Sequence, residues 1–300
     1  MPDQYIDIET IADLHRLVHY DPPKHPLISV IDHNDFYALR PKTDAFYRFG
    51  FYTISCKKFE GLLKYGKGSY DFSDGSLLFT APGQVIAPGP NVTVDEGWAL
   101  FIHPDLLHAT ALGKKIHQYS FFNYEVNEAL HISEEEKLLI WDCVTKIARE
   151  YSQNIDKHTH QLIVNNFELL LNYCDRFYDR QFYTRVKINA DVVQQFEKLL
   201  HDYFARPDLI NAGLPTVKYF ADKLNFSPNY LSDLLSKFTG KTTQEHIHLQ
   251  LIDKAKSMLW GTNDPISQIA YGLGFEHPSH FTKIFKTKTG KSPSKYRLLN

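Results

Sequence analysis

Cysteine is scarce in this 300-residue chain, which has only Cys56, Cys143 and Cys174. Their odd number, their wide separation in the sequence and the lack of any Cys-x-x-Cys pair argue against a disulfide framework or a zinc knuckle. The same pattern favours a reducing compartment. We therefore expect three ordinary, partly buried thiols.

Long hydrophobic runs are also lacking. No stretch approaches the roughly 18 consecutive apolar residues of a membrane span. The segment from Met1 to Asp13 carries several acids and has no basic-then-apolar pattern of a secretory signal. The sequence therefore predicts a cytoplasmic protein with no membrane partner.

Charge, in contrast, is divided unevenly along the chain. Residues 211–300 hold 12 Lys and Arg against 6 Asp and Glu, a balance of +6, whereas residues 1–210 hold 21 against 29, a balance of −8. A basic segment joined to an acidic one is typical of a nucleic-acid-binding module attached to a partner domain. Three hundred residues exceed what a single core usually organises, so at least two domains are expected.

The basic segment contains an internal repeat with a period of 49–50 residues. Three residues recur after 49 positions and four more recur after 50. The matched pairs are Ala221 with Ala270, Leu224 with Leu273, Phe226 with Phe275, Leu231 with Phe281, Leu235 with Phe285, Thr239 with Thr289, and Gly240 with Gly290. Two copies are too few for a solenoid, which needs at least three, so a duplicated supersecondary unit is indicated.

Each copy has the pattern of helix, tight turn and helix. Apolar residues between Val217 and Leu224 follow the three-and-four spacing of one helix face. Asn225, and Gly274 in the second copy, stand where a left-handed residue ends a helix. Ser227-Pro228 restarts a helix as N-cap and first residue, and His277-Pro278 stands at the matching place. Such a unit can place its second helix in a major groove; an all-helical dimerisation bundle is the alternative.

A single helix is expected between the two units, from Thr243 to about Trp260. At about 1.5 Å per residue it would span roughly 27 Å. This is near the roughly 34 Å between successive major-groove faces on one side of a duplex. Gly240 and Gly290 are expected to end the second helix of each copy. One chain could therefore present two recognition helices to double-stranded DNA.

The stretch Ile269–Arg297 resembles the signature of the AraC/XylS family of bacterial transcription regulators. Shared features are Ala-x-x-x-Gly-Phe in the turn, Phe-x-x-x-Phe-Lys in the recognition helix, and a closing Gly-x-Ser-Pro-x-x-Tyr-Arg. The similarity extends back through Lys254-Ala-Lys to Leu214, about a third of the chain. It implies a dimeric DNA-binding regulator, an activator with RNA polymerase as a possible further partner, and a sensory N-terminal domain.

The resemblance also implies which residues contact DNA. Six match base-facing positions of the family: Asn229, Ser232, Asp233, Ser279, Thr282 and Lys283. Lys283 can donate to guanine and Asn229 can pair with adenine. Asp233 departs from a position that is more often basic or neutral, and Leu251 from one that is usually basic. Six further residues are interpreted as phosphate contacts or solvated charge: Lys237, Lys241, Lys286, Lys288, Lys291 and Arg297.

Before residue 130 the pattern changes to short runs rich in Tyr, Phe, Val and Ile, broken by Gly and Pro. It predicts a small antiparallel β-barrel or sandwich, and by its position it resembles the cupin-like sensory domain of the family. Barrels of this size can hold one small molecule. We expect Arg48 and Tyr52 to share a face of one strand, with Trp98 on another, as candidate contacts to an unidentified effector. Ordinary packing is the alternative for all three.

A metal cofactor is not expected, because the two His-x-His triplets, His158-Thr-His160 and His246-Ile-His248, lie in helical patterns. Residues i and i+2 of a helix point about 200° apart and cannot share a metal. No catalytic residue and no cofactor is therefore predicted, and the protein is not expected to be an enzyme. A metal-dependent cupin enzyme fused to a DNA-binding tail remains the alternative, as does a regulator whose barrel only dimerises.

Residues 134–184 return to a helical pattern. The positions Ile163, Phe167, Leu170, Cys174 and Phe177 follow the alternating four-and-three spacing of a coiled-coil seam. Core packing against the barrel would account for part of this spacing, and by resemblance such helices also form the dimer interface. The predicted protein is α+β with three parts: a cupin-like effector-binding barrel over 1–130, a helical pair over 131–185 at which the resemblance implies a homodimer, and an all-α double helix-turn-helix over 186–300.

Overall fold

The computed structural model of the protein describes residues 5–32, 46–60, 62–65, 68–71, 75–86, 93–125, 128–184, 186–206 and 208–298. The chain forms two compact units, Met1–Thr184 and Arg185–Asn300. Among the described residues, no helix is both long and apolar enough to cross a bilayer.

The N-terminal unit combines strands with a few helices. Its strands are β1 (Tyr5–Ile8), β2 (Ile28–Asp32), β3 (Phe46–Phe49), β4 (Tyr52–Glu60), β5 (Leu62–Tyr65), β6 (Gly68–Asp71), β7 (Ser76–Thr80), β8 (Val85–Ile86), β9 (Thr93–Ile102) and β10 (Leu130–His131). Its helices are α1 (Ile11–Leu17), α2 (Ala111–Lys115), α3 (Glu134–Ser152) and α4 (Thr159–Thr184), with short 3-10 turns at Pro104–Leu107, Ile116–Gln118 and Ser120–Asn123.

These strands form open sheets rather than a closed barrel. The largest sheet has the order β10-β7-β4-β9-β2, a second has the order β1-β3-β8, and β5 pairs with β6. A side chain covers one edge of the largest sheet, because the Val30 amide donates to the Tyr151 hydroxyl at 2.9 Å. The α+β class is therefore observed, but the described strands do not close into the cupin-like barrel that the sequence predicted.

Both faces of the five-stranded sheet are covered. On one face, Phe51 and Phe101 join Ile11 and Leu14 of α1 in a buried cluster. On the other face, Phe79 contacts Phe121 of the 3-10 turn Ser120–Asn123 and Tyr178 of α4. The ring centroids are 4.6 and 6.0 Å from that of Phe79. Because neither face is left to solvent, the apolar alternation along these strands is weak.

The seam predicted along α4 lies inside the unit rather than on its surface. Ile163, Phe167, Leu170 and Cys174 are each 0% exposed. They pack in the core that α3 and α4 share with the sheet, which is why their spacing resembles a coiled coil. Core packing therefore accounts for this stripe, and dimerisation through the helical pair stays a prediction.

Cys143 and Cys174 are buried in this unit, and Cys56 is half-buried. Burial raises the pKa of Cys174 well above its usual value, with smaller contributions from Cys143 and Cys56. Burial likewise raises the pKa of Cys56 to about 11. All three remain free thiols and stay protonated at neutral pH, which makes them poor nucleophiles.

The C-terminal unit is helical throughout the residues that the structure describes. Its helices are α5 (Val186–Ala205), α6 (Leu209–Ala212), α7 (Val217–Leu224), α8 (Pro228–Thr239), α9 (Thr243–Gly261), α10 (Ile266–Gly272), α11 (Pro278–Thr289) and α12 (Pro293–Arg297). Helix α9 occupies the centre and packs against α5, α8, α10, α11 and α12.

Leu231→Asp is expected to unfold the first half of this unit. Leu231 is 0% exposed, so the substitution removes a core side chain and buries an unpaired carboxylate, at a cost of about 4 kcal/mol or more. Hydrogen exchange of peptides from 217–261 measures the effect. The control is Asn229→Asp, which adds the same charge at an exposed position of α8. Native protection in Leu231→Asp would contradict the assignment of this face to the core.

Candidate nucleic-acid interface

The first helix-turn-helix consists of α7 and α8. Helix α7 ends at Asn225, which has the left-handed conformation with φ 59° and ψ 45°. The Ser227 hydroxyl then accepts the Tyr230 amide at 3.2 Å, and Pro228 is the first residue of α8. The predicted stop and restart are both confirmed, and they follow from the side chains of these residues.

The second helix-turn-helix, α10 and α11, repeats this geometry. The Phe275 amide donates to the Ala270 carbonyl at 3.0 Å, as the Phe226 amide donates to the Ala221 carbonyl at 3.0 Å. Gly274 takes the left-handed position with φ 87°. A Cβ at Gly274 would lie 2.8 Å from the carbonyl carbon of Gly213. Asparagine therefore serves in the first turn, but only glycine fits in the second.

The second helices of the two copies, α8 and α11, end in the same way. Gly240 and Gly290 are left-handed, with φ 72° and 76°, which confirms the predicted stops. The Thr239 hydroxyl donates to the Leu235 carbonyl at 2.8 Å, and Thr289 donates to Phe285 at the same distance. The repeat in the sequence is therefore a repeat of hydrogen bonds as well.

Helix α9 connects the first helix-turn-helix to the second. A capping box between Thr242 and Glu245 starts it, and its 19 residues span about 28 Å. Leu251 on this helix is 1% exposed. Its place in the core excludes it from contact with a phosphate.

Comparison with known proteins agrees with this geometry. A family model described as a helix-turn-helix domain matches residues 220–298. YijO, an uncharacterised HTH-type transcriptional regulator of Escherichia coli (strain K12), is 24% identical over 232 residues, which cover 75% of this chain and 78% of YijO. YobQ, an uncharacterised HTH-type transcriptional regulator of Bacillus subtilis (strain 168), is 35% identical over 82 residues, which cover 27% of this chain and 34% of YobQ.

A solved structure that matches part of this chain is the C-terminal domain of AraT, a response regulator from Geobacillus stearothermophilus. It is 28% identical, with 36% of this chain and 85% of that domain covered and a TM-score of 0.32. The C-terminal domain of our chain is of the AraC type. The match to YijO is too long to be confined to this AraC-type domain.

The six residues predicted to face bases lie on the two second helices of the AraC-type domain. Asn229 on α8 and Ser279 and Lys283 on α11 are exposed, whereas Ser232, Asp233 and Thr282 are half-buried. Asp233 and Lys283 are 50 positions apart and occupy equivalent places in the repeat. The two helices therefore present opposite charges at the same position.

Two of the predicted base-facing hydroxyls already donate a hydrogen bond within the AraC-type domain. The Ser232 hydroxyl donates to Oγ1 of Thr243 at 3.2 Å, and the Thr282 hydroxyl donates to the Pro278 carbonyl at 3.0 Å. A hydroxyl has one proton and two lone pairs. Towards a ligand these two side chains can therefore act as acceptors without giving up their internal bonds.

The predicted phosphate-contacting residues differ among themselves. Five lysines are exposed around α8 and α11: Lys237, Lys241, Lys286, Lys288 and Lys291. Arg297 is placed differently, because its guanidinium donates to the carbonyls of Leu259 and Asp264 at 3.2 and 2.7 Å. The sequence predicted a phosphate contact or a solvated charge, but in the structure Arg297 joins α12 to the end of α9 and the residues that follow it.

Some supporting contacts of the AraC-type domain were not predicted. The Lys254 ammonium donates to the Phe204 carbonyl at the end of α5. The Tyr203 hydroxyl donates to the carbonyls of Ala212 and Gly213 at 3.2 and 3.1 Å, which positions Gly213 against the second turn. The Lys254 pair joins residues 50 positions apart, and the Tyr203 pairs join residues 9 and 10 positions apart, so neither follows the three-and-four spacing of a helix.

The candidate effector residues do not form one site. The run that was expected to be a single strand bends at Gly50-Phe51, so Arg48 lies on β3 and Tyr52 on β4. Arg48 donates to both carboxylate oxygens of Asp7 at 2.7 Å. Trp98 is 8% exposed and lies against Trp141 of α3, with ring centroids 6.0 Å apart.

Neither His-x-His triplet is arranged to hold a metal. His160 contacts the Leu106 carbonyl at 2.7 Å, and His246 contacts the Thr239 hydroxyl at 2.7 Å. In the part of the chain that the structure describes, no group of three or more His, Cys, Asp or Glu is placed to bind a metal ion.

We expect the AraC-type domain to lose stability in mild acid. Burial holds the pKa of His246 below its usual 6.5, with a further contribution from Lys241. Burial also lowers the pKa of His248, with smaller contributions from Lys288 and His280. The unfolded chain therefore takes up protons first as the pH falls. The stability is complete above pH 6.5 and is lost as the pH falls through the lowered values.

Hydrogen exchange of residues 217–261 in the full chain between pH 7.5 and 5 measures this loss, after correction for the intrinsic exchange rate. His246→Gln keeps a donor for the Thr239 hydroxyl, whose own proton is donated to the Leu235 carbonyl, and should reduce the pH dependence. The control is His201→Gln, at an exposed position of α5. An unchanged pH dependence in His246→Gln would contradict the assignment.

Proposed function

We propose that the protein is a sequence-specific DNA-binding transcription regulator that inserts α8 and α11 into two successive segments of the major groove. The observation that carries this proposal is the duplicated helix-turn-helix itself. Both second helices are anchored by buried side chains on one side and expose polar side chains on the other. This is the arrangement by which such a helix reads base edges.

The length of α9 supports the spacing that this model needs. A stiff rod of about 28 Å separates the two units, and neighbouring major-groove faces lie roughly 34 Å apart. Its ends are fixed by the capping box at Thr242 and by the contacts of Arg297 with Leu259 and Asp264. A rigid separation would favour DNA in which the two subsites are one helical turn apart.

The two recognition helices are proposed to select different bases. Lys283 would donate to guanine O6 and N7, whereas Asp233 at the equivalent place would accept from cytosine N4. Ser232 and Thr282 would also act as acceptors, because their protons are bound internally. The two subsites are therefore expected to differ in sequence, although the protein units are repeats.

Lys283→Ala should relax base preference in the subsite of α11. The loss of one good base contact costs about 1–3 kcal/mol of discrimination. Selection of bound sequences from a random library measures it. Lys286→Ala is the matched control on the same helix and should weaken binding to all sequences alike. An unchanged preference in Lys283→Ala would mean that α11 docks differently.

A homodimer is proposed as the active form, with the exposed stripe of α4 at its interface. Leu162 and Leu169 are each 42% exposed and lie seven residues apart on one face of that helix. On α3, Leu138 and Leu139 are 70% and 43% exposed. Apolar side chains in this number on two neighbouring helices support burial in a partner.

Leu169→Glu should therefore weaken dimerisation at least tenfold, because it places a charge in an apolar interface. Sedimentation equilibrium of the full chain measures the effect. The control is Gln161→Glu, which puts the same charge at an exposed position of the same helix. A dimer of unchanged strength, with native circular dichroism, would exclude this face.

The N-terminal unit is proposed to bind a small-molecule effector without catalysing a reaction. An effector can shift the equilibrium between DNA-binding arrangements only by its difference in affinity for them. Activation is the direction that we propose, with RNA polymerase as the partner. A promoter-reporter assay distinguishes activation from repression.

A further inference from the structure

A cavity of about 310 Å³ lies at one end of the five-stranded sheet. It is formed by the start of β4, the 3-10 turn Pro104–Leu107, and helix α2 with the residues next to it. Small-molecule sites range from about 300 to 1,000 Å³, so the cavity is large enough for a compact molecule with one ring.

Apolar groups make up most of the cavity wall. Pro104, Leu107, Ala109 and Ile116 contribute aliphatic surface. The ring of Tyr52 is held edge-on against Phe122, with centroids 4.9 Å apart. An apolar ligand body therefore suits the space, and a fully hydrated sugar or a bare inorganic ion does not.

Two polar groups of the cavity have unused hydrogen-bonding capacity. The Tyr52 hydroxyl has no hydrogen-bond partner among the residues that the structure describes. Burial raises the pKa of Tyr52, which keeps its proton available for donation. Lys114 is exposed and, within the same part of the chain, forms no ion pair. Its neighbour Lys115, in contrast, pairs with Glu168.

One other charged group lies near the rim. Asp105 is 3.5 Å from Nδ1 of His108, a lining residue, and 3.5 Å from Nδ1 of His103. Nδ1 of His103 accepts the Asp105 amide at 3.2 Å, so it has no proton to share with the carboxylate. Asp105 is not part of the lining. Lys114 is therefore the permanent charge that the cavity presents to a ligand.

The rim of the cavity is preformed. The Thr110 hydroxyl donates to the Leu107 carbonyl at 2.7 Å and accepts the Gly113 amide at 3.0 Å. A Cβ on Gly113 would collide with that same carbonyl. Ala109 has a φ of 62°, a left-handed conformation that costs a non-glycine residue roughly 1–2 kcal/mol. A backbone held in this way keeps the space open before a ligand arrives.

We propose that this cavity binds a small molecule with an apolar body the size of one ring and a single carboxylate. The carboxylate pairs with Lys114 and accepts a hydrogen bond from the Tyr52 hydroxyl, while the body lies against Leu107, Pro104 and Ile116. That such a ligand is the effector rests on the proposed function; that it binds here does not.

Phenylacetate is the probe, and phenylacetamide, which has the same shape without the charge, is its counterpart. Saturation-transfer NMR and calorimetry on the full chain measure binding in the absence of DNA. We expect phenylacetate to bind at millimolar or lower concentration and phenylacetamide at least tenfold more weakly. Equal binding of the two probes, or no binding of phenylacetate, would overturn the proposal.

Two variants assign the contacts. Lys114→Gln should remove the preference for the charged probe, and Tyr52→Phe should weaken phenylacetate about fivefold while keeping that preference. The control is Lys157→Gln, at an exposed position between α3 and α4 that does not line the cavity. Wild-type affinity in Lys114→Gln, with native circular dichroism, would place the probe elsewhere.

DNA binding by the same preparations separates the two proposals. If phenylacetate fails to bind while the protein still selects a DNA sequence, only the ligand site is lost. If the probe binds with the expected dependence on Lys114 and no DNA sequence is selected, the ligand site stands and the proposed function fails.

Discussion

The burial of α9 is the constraint on which the rest of the C-terminal unit depends. Ile247, Leu251, Ala255 and Leu259 are each no more than 2% exposed, and every other element of the double helix-turn-helix packs on this helix or on its neighbours. A polar side chain on the buried face of α9 would separate the first helix-turn-helix from the second. The same burial makes the separation of α8 and α11 a property of one rigid helix rather than of a flexible linker.

The duplicated turns show what local sequence determines and what it does not. Asn225, Ser227 and Pro228 act through their own backbone preferences, so the stop and restart of the helices were predictable. The requirement for glycine at Gly274 has a second cause, since Gly213 lies against it. A contact across 61 positions leaves no local pattern. Gly274 and Asn225 both favour the left-handed conformation, so the sequence alone does not show that position 274 requires glycine.

The failures of prediction share a physical origin. Gly50-Phe51 lies within a continuous β-rich run, but the chain bends there, because β3 pairs in the three-stranded sheet and β4 in the five-stranded sheet. This bend separates Arg48 from Tyr52. The regular spacing on α4 correctly indicates a helix with an apolar face. Spacing does not say whether that face meets a sheet of the same chain or a second copy, and the sheet occupies it. Arg297 is likewise bound by carbonyls 33 and 38 positions away.

Comparison of the two copies of the repeat distinguishes positions that the fold requires from positions that can vary. Core positions retain apolar residues, with Leu231 and Leu235 replaced by the larger Phe281 and Phe285, and the hydrogen bonds of Thr239 recur at Thr289. Exposed Asn229 is replaced by Ser279, and half-buried Asp233 by exposed Lys283, whereas exposed Lys241 recurs as Lys291. The apolar cores of α8 and α11 are alike, so they do not account for the opposite charges of Asp233 and Lys283. Under the proposed function the two helices would meet different base pairs in two adjacent segments of one asymmetric DNA sequence, and the difference in charge is consistent with that.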